Sequence, residues 1–325
     1  MFKICAIGCG YMAKNGHGPA FLKYKNEHSE TVLAGCCDIK FELAEEFKNT
    51  FGFEAAYTDY KQMLNEIKPD AVSLMSPVYL TSGMAVEILN MGYPLILEKP
   101  PGRNKDEISA IYYAAKKSGV SVRTAFNRRY TPLVLKLKEL LKDEKIYNIT
   151  YQMYRKNRAD ADFSTTSIHA IDCVSNIVGG SYKRVDFTYQ EIPEVGETVA
   201  NIYLNGILGN GAVAQISLVP MGGTVAERIS VNTNKAAYFV ELPFWSNVDS
   251  PGCLVRIDGN EITHRILGDE LVSSPEMFEE SGFYEENRSF FEYVRSGGKV
   301  VNDILSGIDS VEIADCIRKR LPFKK

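Results

Sequence analysis

Gly8-Cys9-Gly10-Tyr11-Met12-Ala13 is the stretch that decides the fold of the N-terminal part of the chain. It follows the apolar run 4–7 and precedes a helical pattern. The first glycine of such a turn allows a tight bend, and the second lets the backbone approach a pyrophosphate at the N-terminus of the next helix. A GxGxxA turn in this place therefore predicts a dinucleotide-binding site. The residues expected to contact the dinucleotide are Gly8, Gly10, Tyr11, Met12 and Ala13.

An acidic residue at the end of the second apolar run supports the same interpretation. Asp38 follows residues 32–37, and a carboxylate there can bind the ribose hydroxyls of the adenosine. Its charge would repel a 2′-phosphate, so NAD is favoured over NADP. Lys40, two residues further on, leaves NADP open.

The hydrophobic pattern changes near Arg128. Before it, short apolar runs alternate with helical patterns, which predicts a parallel sheet with helices on both faces. These runs are 4–7, 32–37, 71–75, 95–97 and 120–126. After it, two-residue alternation and turn signals predict antiparallel strands near 147–154, 199–204, 212–218 and 229–231. A helix is expected over about 166–178, ending at Gly179-Gly180.

Composition excludes several classes of protein. The 325 residues hold 37 basic and 41 acidic side chains, a net charge of −4, which argues against binding nucleic acid by bulk charge. The seven cysteines form no CxxC pair and predict reduced thiols in a cytoplasmic protein, and no metal site is expected with only four histidines. The chain opens directly into a strand-like run, and no apolar run has the length of a membrane span, so we expect neither a signal peptide nor a membrane partner.

A second candidate for catalytic chemistry is the stretch Glu98-Lys99-Pro100, at the end of a buried run. Ligands of parallel sheets bind beyond the carboxyl ends of the strands. A lysine there can have its pKa lowered by burial and can hydrogen-bond a substrate hydroxyl that loses its proton. The alternative is a solvated loop lysine, which is the usual environment of this residue type.

Together these features resemble the Gfo/Idh/MocA family of NAD(P)-dependent oxidoreductases. The resemblance rests on the nucleotide turn, Ser76-Pro77, the EKPPG segment at 98–102, the NRRY segment at 127–130 and the HAID segment at 169–172. It implies an α/β chain with an N-terminal Rossmann domain, residues 1–127. It also implies a C-terminal α/β domain, residues 128–325, whose open, largely antiparallel sheet faces the substrate and often another subunit. The last helix is expected to pack back on the first domain.

The resemblance also implies roles for individual residues. Lys99 and His169 match the catalytic pair, in which the lysine polarises the reacting oxygen and the histidine exchanges the proton. Further cofactor contacts are implied for Ser76, Pro77, Glu98, Asn127 and Arg128. Substrate contacts are expected from Lys99, Arg155, Thr165, His169 and Asp172.

Some of these positions depart from the family pattern. Thr165 stands where the family commonly has an aspartate, four residues before His169, and Asp162 is a candidate for the missing carboxylate. Arg155 lies in a basic segment, 154–158, that fits either a substrate anion or an exposed strand end. A lone histidine is also more often a packed residue than a catalytic one, and only the resemblance favours catalysis at His169.

The expected activity is hydride transfer between a nicotinamide and a secondary alcohol or ketone of a sugar, cyclitol or related polyol. The expected partners are that small substrate and further copies of the chain, as a homodimer or homotetramer. Two alternatives stay open: an NAD(P)-binding sensor with altered catalysis, and an enzyme that cleaves glycosides with transient use of NAD.

Overall fold

A computed structural model describes residues 1–160, 162–245, 247–298 and 302–325, and for residues 302 and 303 it describes the backbone only. The chain divides into two compact units. The first comprises Met1–Phe126 and Phe283–Ile308, and the second Asn127–Gly282 and Asp309–Lys325.

The first unit is built on a six-stranded parallel sheet in the order β3-β2-β1-β4-β5-β6. Its strands are β1 (Phe2–Ile7), β2 (Thr31–Cys37), β3 (Ala55–Tyr57), β4 (Ala71–Leu74), β5 (Leu95–Glu98) and β6 (Val122–Ala125). Its helices are α1 (Gly18–Glu27), α2 (Phe41–Phe51), α3 (Tyr60–Ile67), α4 (Val78–Asn90), α5 (Lys105–Ser118) and α9 (Phe283–Arg295), with shorter turns at Ala13–His17 and Asn302–Gly307. This confirms the predicted parallel sheet, whose strands are apolar runs because both faces are covered.

The polypeptide returns to the first unit near its C-terminus. Helix α9 packs on α1 and supplies Phe290 and Phe291, which are 1% and 0% exposed, to the core that also holds Phe21. The expected return of the last helix is therefore corrected. That helix, α10 (Ile308–Lys319), places Ile313 and Ile317 in the core of the second unit, so the helix that returns is α9.

The second unit is built on a nine-stranded sheet in the order β14-β13-β12-β11-β7-β10-β9-β8-β15. Its strands are β7 (Ile146–Tyr154), β8 (Tyr182–Glu191), β9 (Ala200–Leu208), β10 (Val213–Val219), β11 (Ala226–Thr233), β12 (Ala237–Leu242), β13 (Cys253–Asp258), β14 (Glu261–Leu267) and β15 (Phe323–Lys324). Its helical segments are Asn127–Tyr130, α6 (Pro132–Leu140), α7 (Ser164–Val178), Gly268–Leu271, α8 (Met277–Glu280) and α10. Apart from the parallel pair β7–β10, the paired strands are antiparallel, which confirms the predicted sheet type.

Alternation along β7 explains how this sheet is covered. Ile149, Tyr151 and Met153 are fully buried, while the residues between them are partly exposed. Helix α7 packs against β7 and β10, and α6 against β12 and β13. The buried side chains of β7 belong to the same core as α6 and α7, so these helices lie on the apolar face of the sheet.

Two further findings concern cysteines and membranes. All seven cysteines are free thiols, five of them buried. Within the described ranges, no helix combines the length and apolar character that crossing a bilayer requires.

Candidate active site

The glycine turn lies directly beyond β1, where the strand order of the first sheet reverses between β1 and β4. Gly8 has a φ of +90°, and a Cβ atom on it would stand 2.3 Å from the carbonyl oxygen of Met75. Gly10 has no atom within 4 Å of the place where a Cβ would stand. Gly8 is thus required by the fold itself, whereas Gly10 keeps a space open beside the turn.

That space belongs to a pocket of about 780 Å³ within the first unit. Ten residues that were predicted from the sequence line it: Gly8, Gly10, Tyr11, Met12, Ala13, Asp38, Ser76, Pro77, Glu98 and Lys99. The sequence did not single out its apolar wall, formed by Ile39, Tyr60, Leu80 and Met84. A glycine-lined backbone, an acidic residue and an apolar wall together fit a dinucleotide with its pyrophosphate, ribose and adenine parts.

Asp38 is held in place by the turn that it faces. Its Oδ2 accepts a hydrogen bond of 2.9 Å from the backbone N–H of Cys9, and its Oδ1 accepts one of 3.0 Å from that of Lys40. Burial, together with the charges of Asp38 and Asp59, raises the pKa of the neighbouring Cys37 thiol to about 12. This end of the pocket is therefore electronegative, which suits ribose hydroxyls better than a phosphate.

Glu98 ends β5 at the other side of the pocket, with 8% of its surface exposed. Its Oε1 lies 2.9 Å from Nε2 of His17, and its Oε2 accepts a hydrogen bond of 3.0 Å from the backbone N–H of Lys99. Burial alone would raise the pKa of Glu98, but the bond from His17 and the proximity of Lys99 outweigh burial and lower it. The carboxylate is consequently ionised at neutral pH.

His17 is a residue that the sequence interpretation missed. It is 1% exposed and lies at the end of a π-helical turn, Ala13–His17, which directly follows the nucleotide turn. A π-turn holds one residue more than an α-turn and is frequent at functional sites. Its partner Glu98 lies 81 residues away along the chain, so spacing gave no signal for this contact.

The predicted residues of the second unit form a separate group. His169 and Asp172 lie on α7 and are 7% and 1% exposed. The Asp172 carboxylate accepts hydrogen bonds from Nε and Nη2 of Arg129, at 2.7 and 2.5 Å. Thr165 lies at the start of α7, where its hydroxyl donates to the backbone oxygen of Asp162 at 3.4 Å.

Arg128 and Arg155 meet at a buried carboxylate that the sequence did not reveal. Glu227 on β11 is 0% exposed and accepts hydrogen bonds from Nε and Nη2 of Arg128, at 3.1 and 2.7 Å. It also accepts bonds from Arg155 and from the Tyr151 hydroxyl. The Phe244 ring lies 4.4 Å from the Arg128 guanidinium carbon and 4.3 Å from that of Arg155. We call Arg128, Tyr151, Arg155, Glu227 and Phe244 the Glu227 cluster.

Electrostatics inside the Glu227 cluster explain its charge state. Burial would raise the pKa of Glu227, but the two arginines and the Tyr151 hydroxyl hold it well below its usual range. The reciprocal effect of Glu227 raises the pKa of Arg128 despite burial. Arg155 is 4% exposed, so of the two interpretations of its segment, a substrate anion site or an exposed strand end, the second is wrong for this side chain.

Asn127 is tied into the same region. Its Nδ2 donates to the backbone oxygen of Ser281 at 2.9 Å, and its Oδ1 accepts from Nη1 of Arg128 at 3.1 Å. The side chain is 2% exposed. The predicted contacts of Asn127 and Arg128 with a cofactor stay predictions. Among the residues that the structure describes, no group of three His, Cys, Asp or Glu side chains is arranged to hold a metal ion.

Comparison with known proteins agrees with this geometry. Residues 2–126 match the family model GFO_IDH_MocA, described as an oxidoreductase family with an NAD-binding Rossmann fold. The chain is 33% identical over 143 residues to Oxidoreductase P35 of Formosa agariphila, which covers 44% of this chain and 43% of that protein. It is 32% identical over 108 residues to levoglucosan dehydrogenase of Pseudarthrobacter phenanthrenivorans, covering 33% and 28% of the two chains.

The matched segments thus span less than half the length of these curated relatives. Across nearly the whole chain, the fold is similar to a solved structure of levoglucosan dehydrogenase in complex with NADH and levoglucosan. The TM-score is 0.81 at 20% identity, covering 98% of this chain and 96% of the other. The nucleotide turn and the strand order of the first sheet agree with this match, and residues 2–126 form a Rossmann domain of the NAD-binding type that the Gfo/Idh/MocA oxidoreductase family model describes.

Proposed function

We propose that the protein is an NAD-dependent dehydrogenase or reductase of a secondary alcohol or ketone on a sugar, cyclitol or related polyol. The observation that carries this proposal is the pocket, where the glycine turn, Asp38, Glu98 and Lys99 line one cavity. The relatives support the substrate class, since one of them is named as a dehydrogenase of levoglucosan. When bound, the nicotinamide supplies a hydride acceptor or donor.

In the proposed site, the adenosine end of the pocket is specified by Asp38. Its carboxylate has lone pairs left for ribose hydroxyls while the Cys9 and Lys40 amides hold it in place. The open face of Gly10 accommodates the pyrophosphate, where any side chain would compete for space. These contacts bind and orient the cofactor without taking part in the chemistry.

Lys99 is the proposed group that polarises the reacting oxygen. It follows β5 at the edge of the pocket, and its backbone N–H is bonded to Glu98. An ammonium group beside an alcohol oxygen stabilises the negative charge that develops when the proton leaves. The cis peptide bond between Lys99 and Pro100 belongs to the same short loop.

His169 is the proposed proton-exchanging group, because imidazole is the side chain best suited to this task near neutral pH. Thr165, one turn earlier on α7, is retained as a proposed substrate contact. Asp172 and Arg155 are left out of the substrate contacts, since each is at most 4% exposed and engaged in a buried ion pair. The function of Asp172 in this account is to hold Arg129 against α7.

A substrate panel tests the proposal. The protein is incubated with NAD and a set of polyols, cyclitols and glycosides, and with NADH and the matching ketones, while nicotinamide absorbance is followed. We expect turnover on at least one compound, and a loss of about 100-fold or more in kcat for Lys99→Met. Lys105→Met, which changes a lysine outside the pocket lining, is the control. Full turnover in Lys99→Met would contradict the assigned role of Lys99.

A second candidate, a nucleotide-binding sensor, is favoured by Thr165 at the position of the family's usual aspartate. The same panel separates the two, because a sensor binds NADH without turnover on any compound. Release of an aglycone without net change in NADH would instead indicate glycoside cleavage with transient use of the cofactor.

A further inference from the structure

We propose that His17 and Asn287 are positioning residues, whose buried hydrogen-bond chain fixes His17 as its Nε2–H tautomer and thereby holds the Glu98 carboxylate at the pocket. The proposal deepens the proposed function, since it concerns how one wall of the same cofactor pocket is built. All of the residues involved belong to the first unit.

The chain begins at Asn287 on α9. This side chain is 0% exposed, and its Nδ2 lies 2.8 Å from the carbonyl oxygen of Phe283 and 3.0 Å from Nδ1 of His17. A carbonyl oxygen only accepts, so the amide group turned towards Phe283 must be the NH₂. Its second N–H is then the donor that points at His17.

The orientation of Asn287 decides the tautomer of His17. Since Nδ1 accepts a hydrogen bond from Asn287, it carries no proton, and the proton of the neutral ring lies on Nε2. Nε2 is 2.9 Å from Oε1 of Glu98, so the N–H donates to the carboxylate. A protonated His17 would present an N–H from Nδ1 to the NH₂ group of Asn287, which disfavours the imidazolium.

Packing holds the imidazole in this orientation. The Phe283 ring meets it edge-on with centroids 5.3 Å apart, and the same ring fills the space beside Gly16, where a Cβ would stand 2.7 Å from it. Phe21 lies 6.0 Å away on another side. Helix α9 therefore contributes both the hydrogen-bond partner and the aromatic contact that orient His17.

The hydrogen bond from His17 helps to fix the orientation of the Glu98 carboxylate. Its two oxygens are directed by different donors, Oε1 by His17 and Oε2 by the Lys99 amide, so the carboxylate has one orientation beside the pocket. The positive charge of Lys99 acts on this carboxylate and lowers its pKa. The neutral tautomer of His17 supplies a donor without adding a second cation next to Lys99.

Nitrogen-15 NMR of the full-length chain tests the tautomer, and only four histidines contribute signals. We expect one of them to show the nitrogen chemical shifts of a neutral Nε2–H tautomer, with Nδ1 unprotonated. His17→Gln identifies this signal by removing it. An imidazolium or an Nδ1–H tautomer for His17 would overturn the proposal.

In Asn287→Asp, a carboxylate that only accepts hydrogen bonds replaces the amide N–H that donates to Nδ1 of His17. We expect Nδ1 of His17 to carry a proton in this variant, because the new carboxylate accepts a hydrogen bond from it. Arg288→Gln, at the next position of α9 on a half-exposed side chain, changes the net charge by the same amount and is the matched control. Equal histidine spectra in Asn287→Asp and in the wild type would contradict the assignment.

The positioning role is tested by NADH affinity. His17→Gln keeps a donor for Glu98, so we expect its dissociation constant to stay within about threefold of the wild type, whereas His17→Leu should weaken binding about tenfold or more. Equal affinities in two folded variants would overturn the positioning role. If the wild type binds no NADH, the proposed function fails, whereas the tautomer of His17 is still tested independently by the NMR experiment.

Discussion

Gly8 and Gly10 have different functions in the same turn, and substituting each by alanine distinguishes these functions. In Gly8→Ala the Cβ would collide with the Met75 carbonyl at a positive φ, so we expect the thermal midpoint to fall by several degrees, for a cost of about 1–3 kcal/mol. In Gly10→Ala the added methyl meets no protein atom, and the midpoint should stay within about 1–2 °C. Calorimetry of both variants checks this, and equal losses would contradict the distinction.

We assign the proposed preference for NAD over NADP to the charge of Asp38. Asp38→Asn keeps an oxygen that accepts the Cys9 N–H but removes the negative charge that faces the ribose. We expect the ratio of NADPH to NADH affinity to rise about tenfold, since one lost charge repulsion is worth roughly 1 kcal/mol or more near a protein surface. Fluorescence titration measures both affinities. Glu54→Gln, an exposed carboxylate outside the pocket lining, should leave the ratio unchanged.

At the scale of elements, the Glu227 cluster joins β11, β7 and the turn Asn127–Tyr130. Glu227→Gln leaves two arginines close together without their shared anion, so we expect a loss of about 3–5 kcal/mol in the free energy of unfolding. Glu261→Gln on the exposed strand β14 is the control. Urea denaturation measures the difference, and a loss as small as that of the control would contradict the account.

Acid should abolish the contribution of Glu227. Its pKa is lowered by folding, so the stabilisation is complete above the ordinary value of 4.5 and is lost as the pH falls below it. We expect the difference in stability between the wild type and Glu227→Gln to be constant above about pH 5.5 and to shrink steadily as the pH falls below about 4.5. A difference that declines near neutral pH would indicate an ordinary or raised pKa.

Elements with a strong local signal were predicted, and those without one were not. The runs that became β1, β2, β4 and β5 are nearly all apolar because both faces are buried, the run that became β6 also holds Arg123 and Thr124, and each run ends where its strand ends to within a few residues. Strand β8 was missed because charged residues outnumber apolar ones in its first half, where only Tyr182 and Val185 are buried. The EKP loop and Asp38 were singled out because ligands collect at strand ends, and they line the pocket, whereas the partner of Arg128 lies 99 residues away along the chain.

At the scale of the whole molecule, the first unit depends on a segment distant in sequence. Phe291 of α9 contacts the rings of Phe2, Phe21 and Tyr24 and is 0% exposed. Phe291→Ala should therefore cost about 3–5 kcal/mol and lower the unfolding midpoint of the first unit. Tyr113→Ala, at a side chain 64% exposed, is the control, and similar midpoints in both variants would contradict the assignment of α9 to this unit.

Amino-acid pattern alone did not predict this division. A boundary near Arg128 follows from the change between helical and two-residue periodicity, which is a local property. The return of α9 depends on which core Phe290 and Phe291 enter, and an amphipathic helix has the same pattern whichever core it joins. For the same reason the sequence did not connect Asn287 with His17.

Titration of the wild-type protein with NADH tests the central claim, that the pocket beside the glycine turn binds a nicotinamide dinucleotide. We predict saturable binding of about one NADH per chain, with a dissociation constant in the micromolar range, and a loss of about 30-fold or more in folded Gly10→Ala, where the methyl group occupies pyrophosphate space. No saturation by the wild type, or equal binding by Gly10→Ala, would contradict the account.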